Sequence, residues 1–273
     1  MPLLSPLADL YSDYLIVNQG QATATELSSL VEGNYSHDSV TRMLHQCNYT
    51  SADLWKYVKP MVREKQSSNG VLIFDDTIEE KAYMDENAMI CWHYDHCLKR
   101  NVKGINQLTA LYYSQDFSCP VAFTTIHKTE TVIDKKTKKP KRICPVSKHE
   151  YVRSMFDVCL TNHLKFSYVL GDAWYSCAQT MQHIHQNNSH FIFPLKANRK
   201  IAFDKQDQQR GHFQSIESLS WEEHQSRTIW LEDLDFPLIL TRQVFKNKDE
   251  SEGVLYLTTN DLTRYAAHIF EVH

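Results

Sequence analysis

Val71-Leu72-Ile73-Phe74-Asp75-Asp76-Thr77 is the stretch on which the fold turns. Four apolar residues lie between Gly70 and a pair of acids, and such a run reads as a buried strand emerging into solvent. Far along the chain, Phe166-Ser167-Tyr168-Val169-Leu170-Gly171 runs into Asp172 in the same way. Carboxylates at the ends of two neighbouring buried strands can share a hard divalent cation, as metal-assisted phosphoryl chemistry requires. Asp76 and Asp172 are the expected metal ligands. Asp75 is adjacent to Asp76, and neighbours in a strand face opposite ways, so only one of the two points into the site. The alternative is structural: Asp75 or Asp76 caps a turn and Asp172 caps the helix after it.

Outward from these runs the period changes. Residues 1–65 read as helical. Leu27, Leu30 and Val31 share one helical face, Gly33 and Asn34 stop it, and Ser36 can cap a second helix through Leu44. Helix, short turn, helix is a helix-turn-helix outline, equally compatible with two packed helices that bind nothing. Beyond Val71, strands are expected over 89–95, 105–113, 121–126 and 191–195, and helices over 148–164 and 175–185. That order predicts a mixed α/β (α+β) sheet flanked by helices over residues 66–197. Residues 198–260 change character, with strands at 227–231, 238–245 and 254–258, and read as a β-rich insertion. Residues 261–273 start like a helix behind an Asp cap.

Composition narrows the function. The net charge of −4 means that nucleic-acid contacts must rest on local basic patches. Seven scattered cysteines argue against a disulfide framework and for a reducing compartment. No run reaches the length of a membrane span, and no signal peptide is visible. No Gly-rich phosphate loop speaks for an NTPase, and no Gly-x-Ser-x-Gly elbow for a serine hydrolase.

Asp75-Asp76-Thr77 after an apolar strand, with Lys81 beyond, resembles the first signature of DDE transposases of bacterial insertion sequences. Leu170-Gly171-Asp172-Ala173-Trp174-Tyr175 resembles the second. Val102-Lys103-Gly104-Ile105-Asn106 and Leu195-Lys196-Ala197-Asn198-Arg199-Lys200 support them in order, so that the likeness covers roughly residues 20 to 265. The resemblance implies a ribonuclease-H-like core with a β-strand insertion, Asp76 and Asp172 as catalytic carboxylates, and Mg2+ or Mn2+ as cofactor. The partners it implies are double-stranded DNA, at transposon ends and target, and a second copy of the chain in a homodimer. The implied setting is the bacterial cytoplasm and nucleoid. In the family a third carboxylate follows a Tyr by seven residues, with an Arg at three and a Lys at fourteen. From Tyr265 those positions bring His268 and Val272, while Glu271 is one residue early, a rotation of about 100° on a helix. The sequence therefore predicts a truncated or frameshifted final helix, with little or no strand transfer. A DNA-binding remnant and a ribonuclease-H-like nuclease, with Glu79 or Glu271 as third acid, are the alternatives.

Lys135, Lys136, Lys138, Lys139, Lys141 and Arg142 form a basic loop too dense for a core, suited to a phosphate backbone or simply solvated. Lys196, Asn198, Arg199 and Lys200 follow a strand of the same sheet as Asp172 and are expected at scissile-strand phosphate. Trp221 and Trp230 are either buried or stacked on an extruded base. Cys91, His93, Asp95, His96 and Cys97 look like zinc ligands but lie too close in sequence to close a tetrahedron. The other readings are a half-buried strand feeding a turn, or His93 or His96 beside the metal site or a DNA phosphate.

Overall fold

In the computed structural model, which describes residues 5–46, 49–96, 98–222, 225–246, 250–264, 269 and 272, the Val71 run is a strand. The chain divides into two compact units, residues 1–57 and 58–273.

The first unit is helical, with α1 (Pro6–Val17), α2 (Ala24–Leu30), α3 (His37–Gln46) and the start of α4 (Ser51–Lys65). Each helix begins where a side chain can accept from a free backbone N–H: Ser5 from Ala8, Thr23 from Glu26 and Ser36 from Ser39. Glu32 and Gly33 both take positive φ between α2 and α3, which turns the chain where the sequence shows its stop signal. Tyr14, Leu27 and Val40 are buried together, one from each helix. The Tyr14 hydroxyl donates to Glu26 at 2.5 Å and accepts from the Thr23 amide.

The second unit runs β1 (Val71–Glu80), β2 (Cys91–Asp95), β3 (Arg100–Ser114), β4 (Phe117–Thr125), β5 (Glu130–Ile133), β6 (Pro140–Ile143), α5 (Lys148–Thr161), β7 (Tyr168–Gly171), α6 (Ala178–Gln186), β8 (His190–Leu195), β9 (Lys200–Ile201), α7 (Lys205–Arg210), β10 (Gln214–Ser215), β11 (Ser226–Ile229), β12 (Leu238–Lys246) and β13 (Glu252–Thr259). Its main sheet has the order β11-β12-β13-β8-β7-β1-β3-β2, with β4 also on β3. β1, β3 and β4 form an antiparallel meander. β7 then lies parallel to β1, and β8 parallel to β7, with α6 as the crossover between them. Antiparallel meander on one side of β1 and parallel crossovers on the other is the expected ribonuclease-H-like mixed α/β arrangement, flanked by helices.

Alternation assigns each side chain to a face. Leu72 and Phe74 of β1 pair in register with Tyr112 and Ala110 of β3, and all four are buried. α5 packs against β3 and β4, and α6 against β8. Each fully buried Leu or Phe contributes about 1.5–3 kcal/mol. Val71, Tyr168, Leu170, Ile192 and Leu257 form a second cluster with Ile73, Ile269 and Val272. Ile269 and Val272 are helical, as expected for the final segment, whereas Tyr265, His268 and Glu271 lie outside the described residues.

Three readings change. The basic segment is not an irregular loop: β5 and β6 pair as a hairpin whose turn is held by Asp134, which accepts from the Lys136 and Thr137 amides. Residues 198–260 do not stand apart from the core sheet, because β13 pairs with β8 and carries β12 and β11 with it. The helix expected from Tyr175 begins at Ala178, since Tyr175 turns inward and is buried.

Candidate metal centre and DNA cleft

β1 and β7 pair from Val71↔Tyr168 to Phe74↔Gly171. Asp75 and Asp172 are the residues that follow the last of these pairs along the two lines of chain. Asp75 continues the face of Val71 and Ile73, and Asp172 that of Tyr168 and Leu170. Both aspartates are exposed at the end of the sheet. One oxygen of each is held by backbone: Asp75 Oδ1 accepts from the Asp76 amide and Asp172 Oδ1 from the Trp174 amide, both at 2.8 Å. Burial raises the Asp75 pKa, and the charges of Asp76 and Asp172 push the same way. Like charges crowded at one edge are the donor chemistry that a hard cation relieves, with waters and substrate oxygens completing its shell. Asp172 also caps its own turn, so the structural role expected as an alternative coexists with an available second oxygen.

Asp76, the ligand expected from the sequence, is on the other face, where its carboxylate is the centre of a hydrogen-bonded cluster. Lys148 Nζ donates to Oδ2 at 2.6 Å, Asn106 Nδ2 to the same oxygen at 2.8 Å, and the Tyr175 hydroxyl to Oδ1 at 2.6 Å. Burial would raise the Asp76 pKa, but these three donors outweigh it and the net shift is downward. Burial and Asp76 together raise the Tyr175 pKa, keeping its proton on the phenol. The capping box at Ser147, which trades hydrogen bonds with Glu150, fixes the first turn of α5 and so aims Lys148. The sequence reading missed this cluster. Its one available signal was the alternation of Val71, Ile73 and Asp75 against Leu72, Phe74 and Asp76.

A cleft of about 420 Å³ opens beside Asp172, between Ala173, Trp174 and Cys177 on one wall and Lys196, Asn198, Arg199 and Lys200 on another. The structure thus brings the second expected basic group to the Asp172 turn. Glu232 and Asp233 make an acidic margin. The Cys177 thiol would be raised by burial, but hydrogen bonds from His149 and Thr180 bring its pKa down to about 6.

The first basic group is displayed differently. Lys135, Lys136, Lys138, Lys139, Lys141 and Arg142 are all exposed on the hairpin, and Arg142 pairs with Glu86 at 3.4 Å. Trp221 and Trp230 sit under cations, Arg227 at 5.0 Å and Lys205 at 5.6 Å from the ring centres. That packing favours their structural reading. In the suspected zinc strand, Cys91 and His93 are buried with Sγ and Nε2 3.3 Å apart, and Cys97 lies outside the described residues. Among the described residues no group of three or more His, Cys, Asp or Glu side chains could hold a metal ion. Burial, then the charges of Lys128 and Lys148, lower the His93 pKa to about 4, so it is neutral at physiological pH.

No helix among the described residues is long and apolar enough to cross a membrane. No curated protein matches the chain. A family described as DDE superfamily endonuclease matches residues 7–214, well over half of the sequence. With the strand order and the paired aspartates already in place, that match establishes that the chain belongs to the DDE superfamily endonucleases.

Proposed function

We propose that this endonuclease is the transposase of a bacterial insertion sequence, acting on double-stranded DNA at terminal inverted repeats. The observation that carries the catalytic reading is the β1–β7 register, which ends at Phe74↔Gly171 immediately before Asp75 and Asp172, both exposed. Asp75 and Asp172 would hold Mg2+ or Mn2+, through the oxygens left free by their backbone hydrogen bonds. The metal supplies charge neutralisation at the scissile phosphate and activation of the attacking oxygen. Asp76 supports the end of β1 from below by gathering Lys148, Tyr175 and Asn106. Lys196, Arg199 and Lys200 hold the scissile strand in the cleft, and the Lys135–Arg142 hairpin follows the duplex backbone. The N-terminal helices read the repeats, α3 being the second helix of their helix-turn-helix outline. The transposase reading also carries action in the bacterial cytoplasm and a paired complex of two copies at the two ends.

One observation favours a second reading, DNA binding with impaired cutting or joining. The position where the resemblance expects the third carboxylate is Val272, and its side chain packs on the Val71 and Leu170 cluster. The two readings separate in one experiment. The purified chain is incubated with supercoiled plasmid carrying the DNA that flanks its own gene, with Mg2+, Mn2+ or chelator. Nicking that needs metal and disappears in Asp172→Asn supports the transposase; gel shifts without nicking select the binding remnant.

A further inference from the structure

We propose that the Asp172 turn carries a stacking track for unpaired nucleotides: Trp174 and the rings beside it hold bases of a frayed DNA strand, and Lys196, Arg199 and Lys200 hold its phosphates. Trp174 is half exposed two residues past Asp172, although a ring of that size normally gains by burial. Its position is fixed by its own amide, which donates to Asp172, and by His149, which stacks against it at 5.7 Å and 14°. His96 follows at 6.3 Å from Trp174, and Tyr94, also half exposed, meets His96 edge-on at 4.9 Å. Tyr94, His96 and Trp174 therefore succeed one another from β2 to the edge of the cleft, with His149 stacked on Trp174.

Rings in sequence beside a cationic groove are what a single strand needs. Every base has a π-face, so stacking is tolerant of sequence, and the cations track the backbone. A closed duplex cannot use such rings, because its bases are already stacked on one another. The acidic margin at Glu232 and Asp233 repels phosphate and confines the backbone to the Lys196–Lys200 wall. Its carboxylates accept hydrogen bonds, which suits the exocyclic amino groups of exposed bases.

The inference rests on the reading of this site as one that acts on DNA. Its test uses the full chain in chelator, so that binding is measured without cutting. Fluorescence anisotropy compares a fully paired duplex with the same duplex carrying three unpaired nucleotides at one 3′ end, and 2-aminopurine in the tail reports stacking. The tailed duplex is expected to bind about tenfold tighter and to show quenched 2-aminopurine. Trp174→Ala loses the quenching and brings the ratio of tailed to paired affinity from about ten to about one, and Trp174→Phe keeps most of both. Equal loss on both substrates, or none on either, overturns the track. If the wild-type chain binds neither DNA, the nuclease reading falls with it; if it nicks plasmid with metal while Trp174→Ala binds tails normally, only the track falls.

Discussion

Asp75 and Asp76 are consecutive residues on one strand, yet the two faces of the sheet at that point surround them with opposite chemistry. On the Asp75 face the carboxylate feels the like charge of Asp172, the donor to it is a backbone amide, and burial and like charge raise its pKa. On the Asp76 face a lysine, a tyrosine and an asparagine saturate the carboxylate and lower its pKa. One side gathers like charge at an edge open to solvent. The other neutralises it and uses it as an anchor. Under the proposed function, a carboxylate serves the metal or the fold according to the face it occupies, with no change in residue type.

The comparison is sharpest under substitution. Asp75→Asn and Asp172→Asn are each expected to lower metal-dependent nicking by about a hundredfold or more. Melting temperature should hold or rise, because a like charge has been removed. Asp76→Asn at a temperature below its own melting point should cut with less than a tenfold loss. If Asp76→Asn abolishes nicking with unchanged melting while Asp75→Asn is silent, the faces have been assigned the wrong way round.

Asp76→Ala tests the anchor itself. It strands Lys148, Tyr175 and Asn106 in a site where the Asp76 and Lys148 side chains are only 21 and 28% exposed, and should cost about 2–3 kcal/mol in urea unfolding. Asp75→Ala should cost less than about 1 kcal/mol in the same assay.

The pH dependence belongs to the sealed face as well. His93 titrates at about 4 in the folded chain and near 6.5 unfolded, so the unfolded chain binds the extra proton between those values. Stability is fully present above about pH 6.5 and is lost as pH falls toward 4. His93→Gln should flatten the melting-temperature profile across that window; a profile identical to wild type would show that His93 is not sealed.

The smallest effect concerns charge outside both faces. Changing Lys135, Lys136, Lys138 and Lys139 to Gln should leave melting unchanged and weaken duplex binding. The slope of log affinity against log salt should become shallower by about one unit for each phosphate contact removed. An unchanged slope would leave Lys196, Arg199 and Lys200 as the sole DNA contacts of the pair of basic groups.

Much of the core was legible because it repeats a simple signal. The Val71 and Tyr168 runs are apolar on both faces and end in acid, which only a central strand between two packed layers requires. The basic cleft residues were found because they follow a strand neighbouring Asp172. What the sequence hid was long-range. Lys148 and Asn106 look like ordinary surface residues until α5 and β3 bring them to Asp76. The hairpin was hidden because Lys and Thr dominate it, and its pairing is set by the Asp134 turn rather than by apolar alternation. Residues 198–260 looked separate because polar stretches interrupt them, although β12 and β13 carry buried residues at their sheet positions.

β3 serves three neighbours at once: β1 along residues 104–113, β2 along 100–104 and β4 along 107–114. Its even-numbered residues from Val102 to Tyr112 are buried. Inserting or deleting a single codon there would send Leu108, Ala110 and Tyr112 to solvent and point Asn106 away from Asp76. The gene can therefore change length freely at the Lys135–Lys139 tip but not between residues 100 and 114, and drift among relatives should show gaps at the first place and none at the second.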